Sequence, residues 1–148
     1  MALRNILKLG DETLRKISKP VTKFDEHLWE LLDDMKATMY KYNGAGLAAP
    51  QVGVLKRAVV MDINNMYIEL INPEIISEEG EVVAEEGCLS IGGVHEPVKR
   101  PEKVTVVAQD RYGYEITLTG ENMLARCICH ETDHLDGILF IDRVEKSE

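Results

Sequence analysis

The chain has 148 residues, 45% of them apolar and 29% charged, a composition typical of one globular domain spanning residues 1–148. Its 17 basic and 26 acidic residues give a net charge of −9, which argues against broad contact with nucleic acid or an anionic membrane. No apolar run approaches the roughly 18 to 20 residues of a membrane span, and no signal-peptide pattern occurs, so we expect a cytoplasmic protein. Three cysteines are too few for a disulfide scaffold and are expected as free thiols or metal ligands: Cys88, Cys127 and Cys129.

A helix is predicted over residues 25–42, because apolar side chains recur there at the spacing of one helical face. These side chains are Leu28, Leu31, Leu32, Met35 and Met39. The segment from Thr22 to Asp25 resembles a capping box at the start of the helix, and Asn43 with Gly44 supplies its end.

Two strand pairs are predicted in the middle of the chain. Residues 57–61 and 67–71 flank Asn64-Asn65, and residues 104–108 and 114–119 flank a glycine-containing turn. Because strands and helices do not alternate, we expect an α+β fold with mostly antiparallel pairing.

A second predicted helix, from about residue 121 to residue 136, contains the H-E-x-x-H motif His130-Glu-Thr-Asp-His134. The two histidines lie one turn apart, about 6 Å along the axis, so both imidazoles can reach one metal ion. Glu131 lies at the edge of that face, where its carboxylate could accept a proton from water at the metal. The alternative interpretation is a helix whose histidines only form hydrogen bonds.

Two histidines leave the site incomplete, since a catalytic metal usually has three protein ligands. Cys127 is seven residues before His134, about 10.5 Å along the helix, so one helix cannot supply all three ligands. Phe140 stands where the metzincin pattern has a third histidine, which disfavours an ordinary zinc protease. The third ligand is therefore expected upstream, from Cys88, His95, His27 or a carboxylate.

Cys88 is the favoured third ligand because of the segment around it. That segment, Glu85-Glu-Gly-Cys-Leu-Ser90, is polar, whereas a structural cysteine usually lies in an apolar run. Gly87 also lets the backbone approach a neighbouring group closely. The glutamates from Glu74 to Glu81 are predicted to form a solvated hairpin, while Glu85 and Glu86 lie beside a motif and their roles stay open.

Three segments together resemble the signature motifs of the bacterial-type peptide deformylases. They are Gly44-Ala-Gly-Leu-Ala-Ala-Pro-Gln51, Glu86-Gly-Cys-Leu-Ser90 and His130-Glu-Thr-Asp-His134. The resemblance implies an α+β fold with antiparallel sheets around a central C-terminal helix that carries the histidines, and an N-terminal helix. It also implies a hydrolase that removes the formyl group from the N-terminal N-formylmethionine of newly synthesised proteins and releases formate.

The resemblance implies roles for individual residues. The metal ligands would be Cys88, His130 and His134, with Fe²⁺ as the native ion and Zn²⁺, Ni²⁺ or Co²⁺ as substitutes. Water on the metal would attack the formyl carbonyl, with Glu131 as general base and then general acid. The Gln51 side-chain amide and the Leu89 backbone N–H would stabilise the oxyanion. Without the motif, Gln51 would be interpreted as an ordinary loop amide.

The substrate would be bound by an apolar methionine pocket and by main-chain groups that pair with the peptide. The implied substrate-binding residues are Ala45, Gly46, Ala84, Gly87, Met123, Arg126 through its stem, and Cys127. The alternative for Met123 and Cys127 is simple packing of the helix on the sheet. His95 is a further candidate for peptide contact.

The sequence departs from the family at Gly92-Gly93, where many members have a proline, and we expect a looser segment there. The implied partners are N-formylmethionyl nascent peptides and, transiently, the ribosome. Because the sequence ends at Glu148, we expect no ribosome contact through a long C-terminal extension. We expect a monomer. The alternatives are another metal-dependent amidase or peptidase, and a relative that binds metal or peptide without catalysis.

Overall fold

The computed structural model describes residues 2–144, and its elements follow the predicted order. The helices are α1 (Glu26–Lys41) and α2 (Met123–Leu135). The strands are β1 (Gly46–Ala48), β2 (Ala58–Ile63), β3 (Met66–Glu79), β4 (Val82–Cys88), β5 (Ile91–Arg100), β6 (Lys103–Gln109) and β7 (Glu115–Glu121). Short 3-10 helices lie at Glu12–Arg15, Ala49–Val52 and Phe140–Arg143. Within residues 2–144, neither α-helix combines the length and apolar character that crossing a bilayer requires.

Both sheets are antiparallel, which confirms the predicted α+β class. Five strands pair in the order β1-β2-β3-β6-β7, and β4 pairs with β5 in a separate two-stranded sheet. Asn64 and Asn65 have φ of 55° and 64°, the left-handed backbone that a tight two-residue hairpin turn requires. The glutamate-rich segment is not a hairpin, because the end of β3 pairs with β6 while β4 pairs with β5.

Helix α1 begins at Glu26 with Asp25 as its N-cap. The Asp25 carboxylate accepts hydrogen bonds from the backbone N–H groups of His27 and Leu28, at 3.1 and 3.4 Å. The expected capping box with Thr22 as the cap is therefore wrong, because Asp25 itself satisfies the first free N–H groups of the helix. All five apolar side chains that were predicted to share a face are buried.

Helix α2 is the central element, and ten of its 13 residues are buried. It packs against β1, β2, β6 and β7, and its apolar residues Ala125, Ile128 and Leu135 belong to the core. A buried helix face carries polar side chains only where they are bonded or functional, since their desolvation is costly. The buried polar groups of α2 are therefore the starting point for the site.

Candidate metal-binding active site

Three side chains converge where the end of β4 meets α2. The candidate ligand atoms of Cys88, His130 and His134 all lie within 4.8 Å of one another. The Cys88 Sγ is 3.4 Å from His134 Nε2. A thiolate with two imidazoles is a donor set that suits zinc, iron and related divalent ions. The structure thus brings together the predicted third ligand and the two motif histidines.

One orphaned carboxylate oxygen gives independent support for a metal centre with bound water. Glu131 Oε1 is buried and has no hydrogen-bond partner among residues 2–144. Leaving such groups unpaired costs free energy in a site with no further ligand. The chain's residues therefore fit the metal that the motifs imply.

His130 is held in place through its other ring nitrogen. Its Nδ1 lies 2.8 Å from Glu86 Oε1, which leaves Nε2 for the metal. The Glu86 carboxylate also accepts two hydrogen bonds from Arg100, at 2.8 and 2.9 Å, and one from Arg126, at 2.6 Å. A carboxylate behind a histidine ligand fixes the tautomer and the ring orientation. The Phe140 ring stacks on His130, with centroids 6.0 Å apart.

The charges of this centre follow from burial and from its partners. Burial raises the pKa of Glu131 to about 7, although the nearby His130 charge opposes the shift. Burial would also raise the pKa of Glu86, but hydrogen bonds from Arg100 and His130 outweigh it and lower that pKa to about 2. Glu86 is therefore ionised at neutral pH, while Glu131 can exchange a proton there.

The two histidines differ in charge without a metal. Burial lowers the pKa of His134 to about 3, so its ring is neutral and available as a ligand. Burial lowers the pKa of His130 too, but the bond with Cys88, the Glu131 charge and the Glu86 bond raise it to about 10. Since a metal ligand must be unprotonated, a metal and a proton compete at this centre.

Gln51 lies beside the three ligands with its amide orientation fixed. Its Oε1 accepts a hydrogen bond from the Ala48 N–H at 2.9 Å. Its Nε2 is 3.1 Å from Ser90 Oγ and 3.4 Å from Cys88 Sγ. The Leu7 N–H donates to the Gln51 carbonyl at 2.7 Å, which ties the N-terminal segment to this 3-10 helix. The N–H₂ end of the amide is thus directed to the metal-ligand cluster.

Leu89 occupies the two-residue turn between β4 and β5. The turn closes on the paired residues Cys88 and Ile91, and the Lys8 ammonium donates to the Leu89 carbonyl at 3.1 Å. A Cβ on Gly44 would lie 2.6 Å from Leu89 Cδ1, so the Leu89 side chain packs closely on Gly44 and would have to shift for a larger residue. The first and second motifs are therefore in direct contact.

These elements enclose a cavity of about 460 Å³, of the size typical for a small-molecule or peptide-end site. Most of the predicted site residues line it: Ala45, Gly46, Gln51, Gly87, Cys88, Leu89, Met123, Arg126, Cys127, His130 and Glu131. His134 lies behind them, with only 1% of its surface exposed. The wall also includes His95, whose ring packs on Gly87 so closely that a Cβ there would lie 2.8 Å from it.

Ala84 is the predicted substrate-binding residue that does not line this cavity. The Arg126 guanidinium donates to main-chain carbonyls of Val82 and Val98 and, at 3.5 Å, of Ala84 itself. Arg126 therefore forms the wall at this end of β4, and contact of Ala84 with the substrate stays a prediction.

A family comparison agrees with this geometry. The sequence model of the family described as polypeptide deformylase matches residues 3–148. The chain belongs to the polypeptide deformylase family. Deformylases are metal-dependent enzymes that remove the N-formyl group from nascent peptides, so the predicted family, fold and enzymatic activity are confirmed.

Individual deformylases resemble the chain over nearly its whole length. A peptide deformylase of Caldicellulosiruptor bescii is 63% identical over 144 residues, which are 97% of this chain and 87% of the relative. Peptide deformylase 1 of Clostridium acetobutylicum is 52% identical over 148 residues, which are 100% and 99% of the two chains. The crystal structure of a peptide deformylase from Thermotoga maritima has a TM-score of 0.97 at 44% identity, covering 99% of this chain and 100% of that one.

Three residues join the deformylase site although no role is predicted for them from the sequence. Ser90 accepts from Gln51, and Glu86 with Arg100 supports His130. Glu86 belongs to the second motif, but its partners come from β5 and α2, which are distant in sequence. In the sequence, a glutamate that precedes a glycine gives no sign of such partners.

Proposed function

We propose that this cavity hydrolyses the formamide of N-formylmethionyl peptides, with the metal held by Cys88, His130 and His134. One observation carries the proposal: the three ligand atoms lie within 4.8 Å of one another, and Glu131 lines the same cavity with an unpaired carboxylate oxygen. A structural metal site would have no use for a buried, unpaired carboxylate beside it.

The bound ion is proposed to be Fe²⁺, for which Zn²⁺, Ni²⁺ or Co²⁺ can substitute, since a thiolate and two imidazoles accept all of them. The ion would act as a Lewis acid on the formyl carbonyl and on water. The Cys88 thiolate gives one negative charge to the site, and the Glu86 carboxylate orients His130 from behind. The metal content of protein purified without oxygen tests this assignment.

Glu131 is proposed to take the proton of the attacking water and to pass it to the leaving amine. Its carboxylate lies in the cavity wall beside His130 rather than in an ion pair. A base of this kind contributes by its position, which must be within hydrogen-bond reach of the reacting water.

Gln51 and Leu89 are proposed to stabilise the carbonyl oxygen as it gains negative charge. The Gln51 Nε2 is held beside Cys88, and Leu89 follows Cys88 in the chain. Two N–H donors fixed before the reaction stabilise the developing charge without reorganisation.

The methionine side chain is proposed to enter the apolar part of the cavity, beside Met123, Cys127 and the stem of Arg126. The Arg126 guanidinium is already bonded to Glu86 and to strand carbonyls, so only its stem remains for the substrate. Ala45, Gly46 and Gly87 offer main-chain groups for an added peptide strand.

Formate release from formyl-Met-Ala-Ser by the metal-loaded protein, with acetyl-Met-Ala-Ser alongside, tests this function. We expect hydrolysis of the formyl peptide alone. Equal hydrolysis of both peptides would favour a broader amidase. Absence of hydrolysis by folded, metal-loaded protein would favour a binding protein and would overturn the proposal.

The enzyme is further proposed to act as a single domain over residues 1–148, as a monomer in the cytoplasm, near the ribosome where its substrates emerge. The net charge of −9 supports transient rather than tight contact with ribosomal RNA. Light scattering after gel filtration tests the monomer, and co-sedimentation with ribosomes tests the contact.

A further inference from the structure

A row of charged side chains runs from the last 3-10 helix toward the metal-ligand cluster. It begins at Arg143, whose Nε and Nη2 donate to the two oxygens of Asp133, at 2.6 and 3.1 Å. Asp133 lies on α2 between the motif histidines, and only 14% of its side chain is exposed. A two-point bond between a guanidinium and a largely buried carboxylate fixes geometry better than an ordinary surface pair.

The row continues without a gap to a metal ligand. Asp133 Oδ2 also accepts from Arg100 Nη1 at 2.7 Å. The other nitrogens of Arg100 donate to Glu86 at 2.8 and 2.9 Å, and Glu86 bonds His130 Nδ1 at 2.8 Å. Arg100 and Glu86 are both buried, so water screens little of their interaction.

The guanidinium of Arg100 is thus divided between two carboxylates. Arg143 supplies a second cation to Asp133, which limits how strongly Asp133 attracts Arg100. Without Arg143, Asp133 would be neutralised by Arg100 alone, and Arg100 would be drawn from Glu86 toward Asp133. Glu86 would then hold the His130 ring less firmly.

We propose that Arg143 is a positioning residue for the metal site, acting on His130 through Asp133, Arg100 and Glu86. This inference rests on the proposed function, because it takes His130 as a metal ligand. It assigns to the end of the 3-10 helix Phe140–Arg143 an effect on how long the metal stays bound.

A purely structural role for Arg143 must be separated from this one. The same 3-10 helix carries Phe140, which stacks on His130, so loosening the helix could disturb the site without the charged row. The helix has a second ion pair, between Asp142 and Arg15, which shares no hydrogen bond with Asp133, although the Asp142 charge also acts on Arg143. Arg15→Gln is therefore a matched control, since it weakens the anchoring of the same helix and removes none of the hydrogen bonds of the row.

The test measures the rate at which Ni²⁺-loaded protein gives its metal to a coloured chelator, together with KM, kcat and the thermal midpoint. We expect Arg143→Gln to release Ni²⁺ roughly threefold to tenfold faster, a smaller effect than loss of a group bonded directly to a ligand. Arg143→Lys should recover part of the retention, because its ammonium can still reach Asp133. Arg15→Gln should release Ni²⁺ at the wild-type rate.

Two results would overturn the role of Arg143 without affecting the proposed function. One is release of Ni²⁺ by Arg143→Gln at the wild-type rate, and the other is equally fast release of Ni²⁺ by Arg143→Gln and Arg15→Gln. If Arg143→Gln does not fold, the lysine variant decides, and its release must be faster than that of the wild type and of Arg15→Gln. A wild-type protein that retains no Ni²⁺ would overturn the proposed metal site as well.

Discussion

The Glu131 carboxylate lies directly against the backbone of Gly46. A Cβ at residue 46 would be 2.6 Å from Glu131 Oε2 and 3.0 Å from Cys127 Sγ. Strand β1 therefore approaches α2 so closely that a side chain at this position would displace the proposed base. The first motif needs glycine here for contact with the third motif, and not for a turn.

Gly46→Ala is expected to lower kcat at least about tenfold, because overpacking of a close contact costs roughly 1–3 kcal/mol and moves the carboxylate. Gly92→Ala is the matched control, since a Cβ there meets no atom within 4 Å. Steady-state kinetics of both variants, each with its metal content measured, check the prediction. Wild-type kcat in Gly46→Ala would show that the carboxylate position does not matter.

Metal binding is expected to raise the thermal midpoint by roughly 5–10 °C at metal concentrations near 100 times Kd, since such binding adds about 2.7 kcal/mol to stability. Cys88→Ser should lose most of this shift, because the serine hydroxyl is a poor ligand. Cys129→Ser is the control, since Cys129 is buried outside the ligand cluster and should keep the shift. Thermal scans of apo and Ni²⁺-loaded proteins check this, and an undiminished shift in Cys88→Ser would exclude Cys88 as a ligand.

Gln51→Leu is expected to lower kcat about a hundredfold with little change in KM, the usual effect of losing one oxyanion donor. Ser90→Ala should have a smaller effect, because it removes only the hydroxyl that orients the amide at 3.1 Å. Kinetics with a formyl-Met peptide measure both. A larger loss in Ser90→Ala than in Gln51→Leu would contradict the donor role.

Asp34 is expected to make stability depend on acid pH. Burial would raise its pKa, but hydrogen bonds from the Ala2 N–H and the Arg4 side chain outweigh burial and lower it below the ordinary 3.8. A carboxylate with a lowered native pKa stabilises the fold above its unfolded pKa, and that contribution is lost as pH falls through the native value.

Urea unfolding of the wild type and Asp34→Asn checks this dependence. The difference in unfolding free energy should be largest above about pH 5 and should shrink below about pH 4. A difference that is constant over this range would mean that the Asp34 charge does not contribute.

Local patterns predicted much of the fold. The apolar spacing along α1 and the turn at Asn64-Asn65 are determined by neighbouring residues, so sequence alone indicates them. The pairing of β4 with β5 involves a bulge between Glu86 and Cys88, and no short pattern specifies it. The predicted capping box is wrong because Thr22 and Asp25 are both residue types that cap helices, and only the structure shows that Asp25 is the cap.

The site was predictable to the extent that its residues lie in compact motifs. The spacing of His130 and His134 defines a ligand pair, and the missing third ligand pointed to Cys88. The support for His130 was not predictable, because Arg100 contributes from another strand and its role depends on the tertiary fold. The contact of Arg126 with the Ala84 carbonyl was not predictable for the same reason, since it joins α2 to β4.

The most direct test measures formate release from a formyl-Met tripeptide by Fe²⁺- or Ni²⁺-loaded wild type and Glu131→Gln, with metal bound in both. Wild-type release and a loss of about a hundredfold or more in the variant are predicted, the scale of general acid–base catalysis. Metal-loaded Glu131→Gln that releases formate at the wild-type rate would contradict the account.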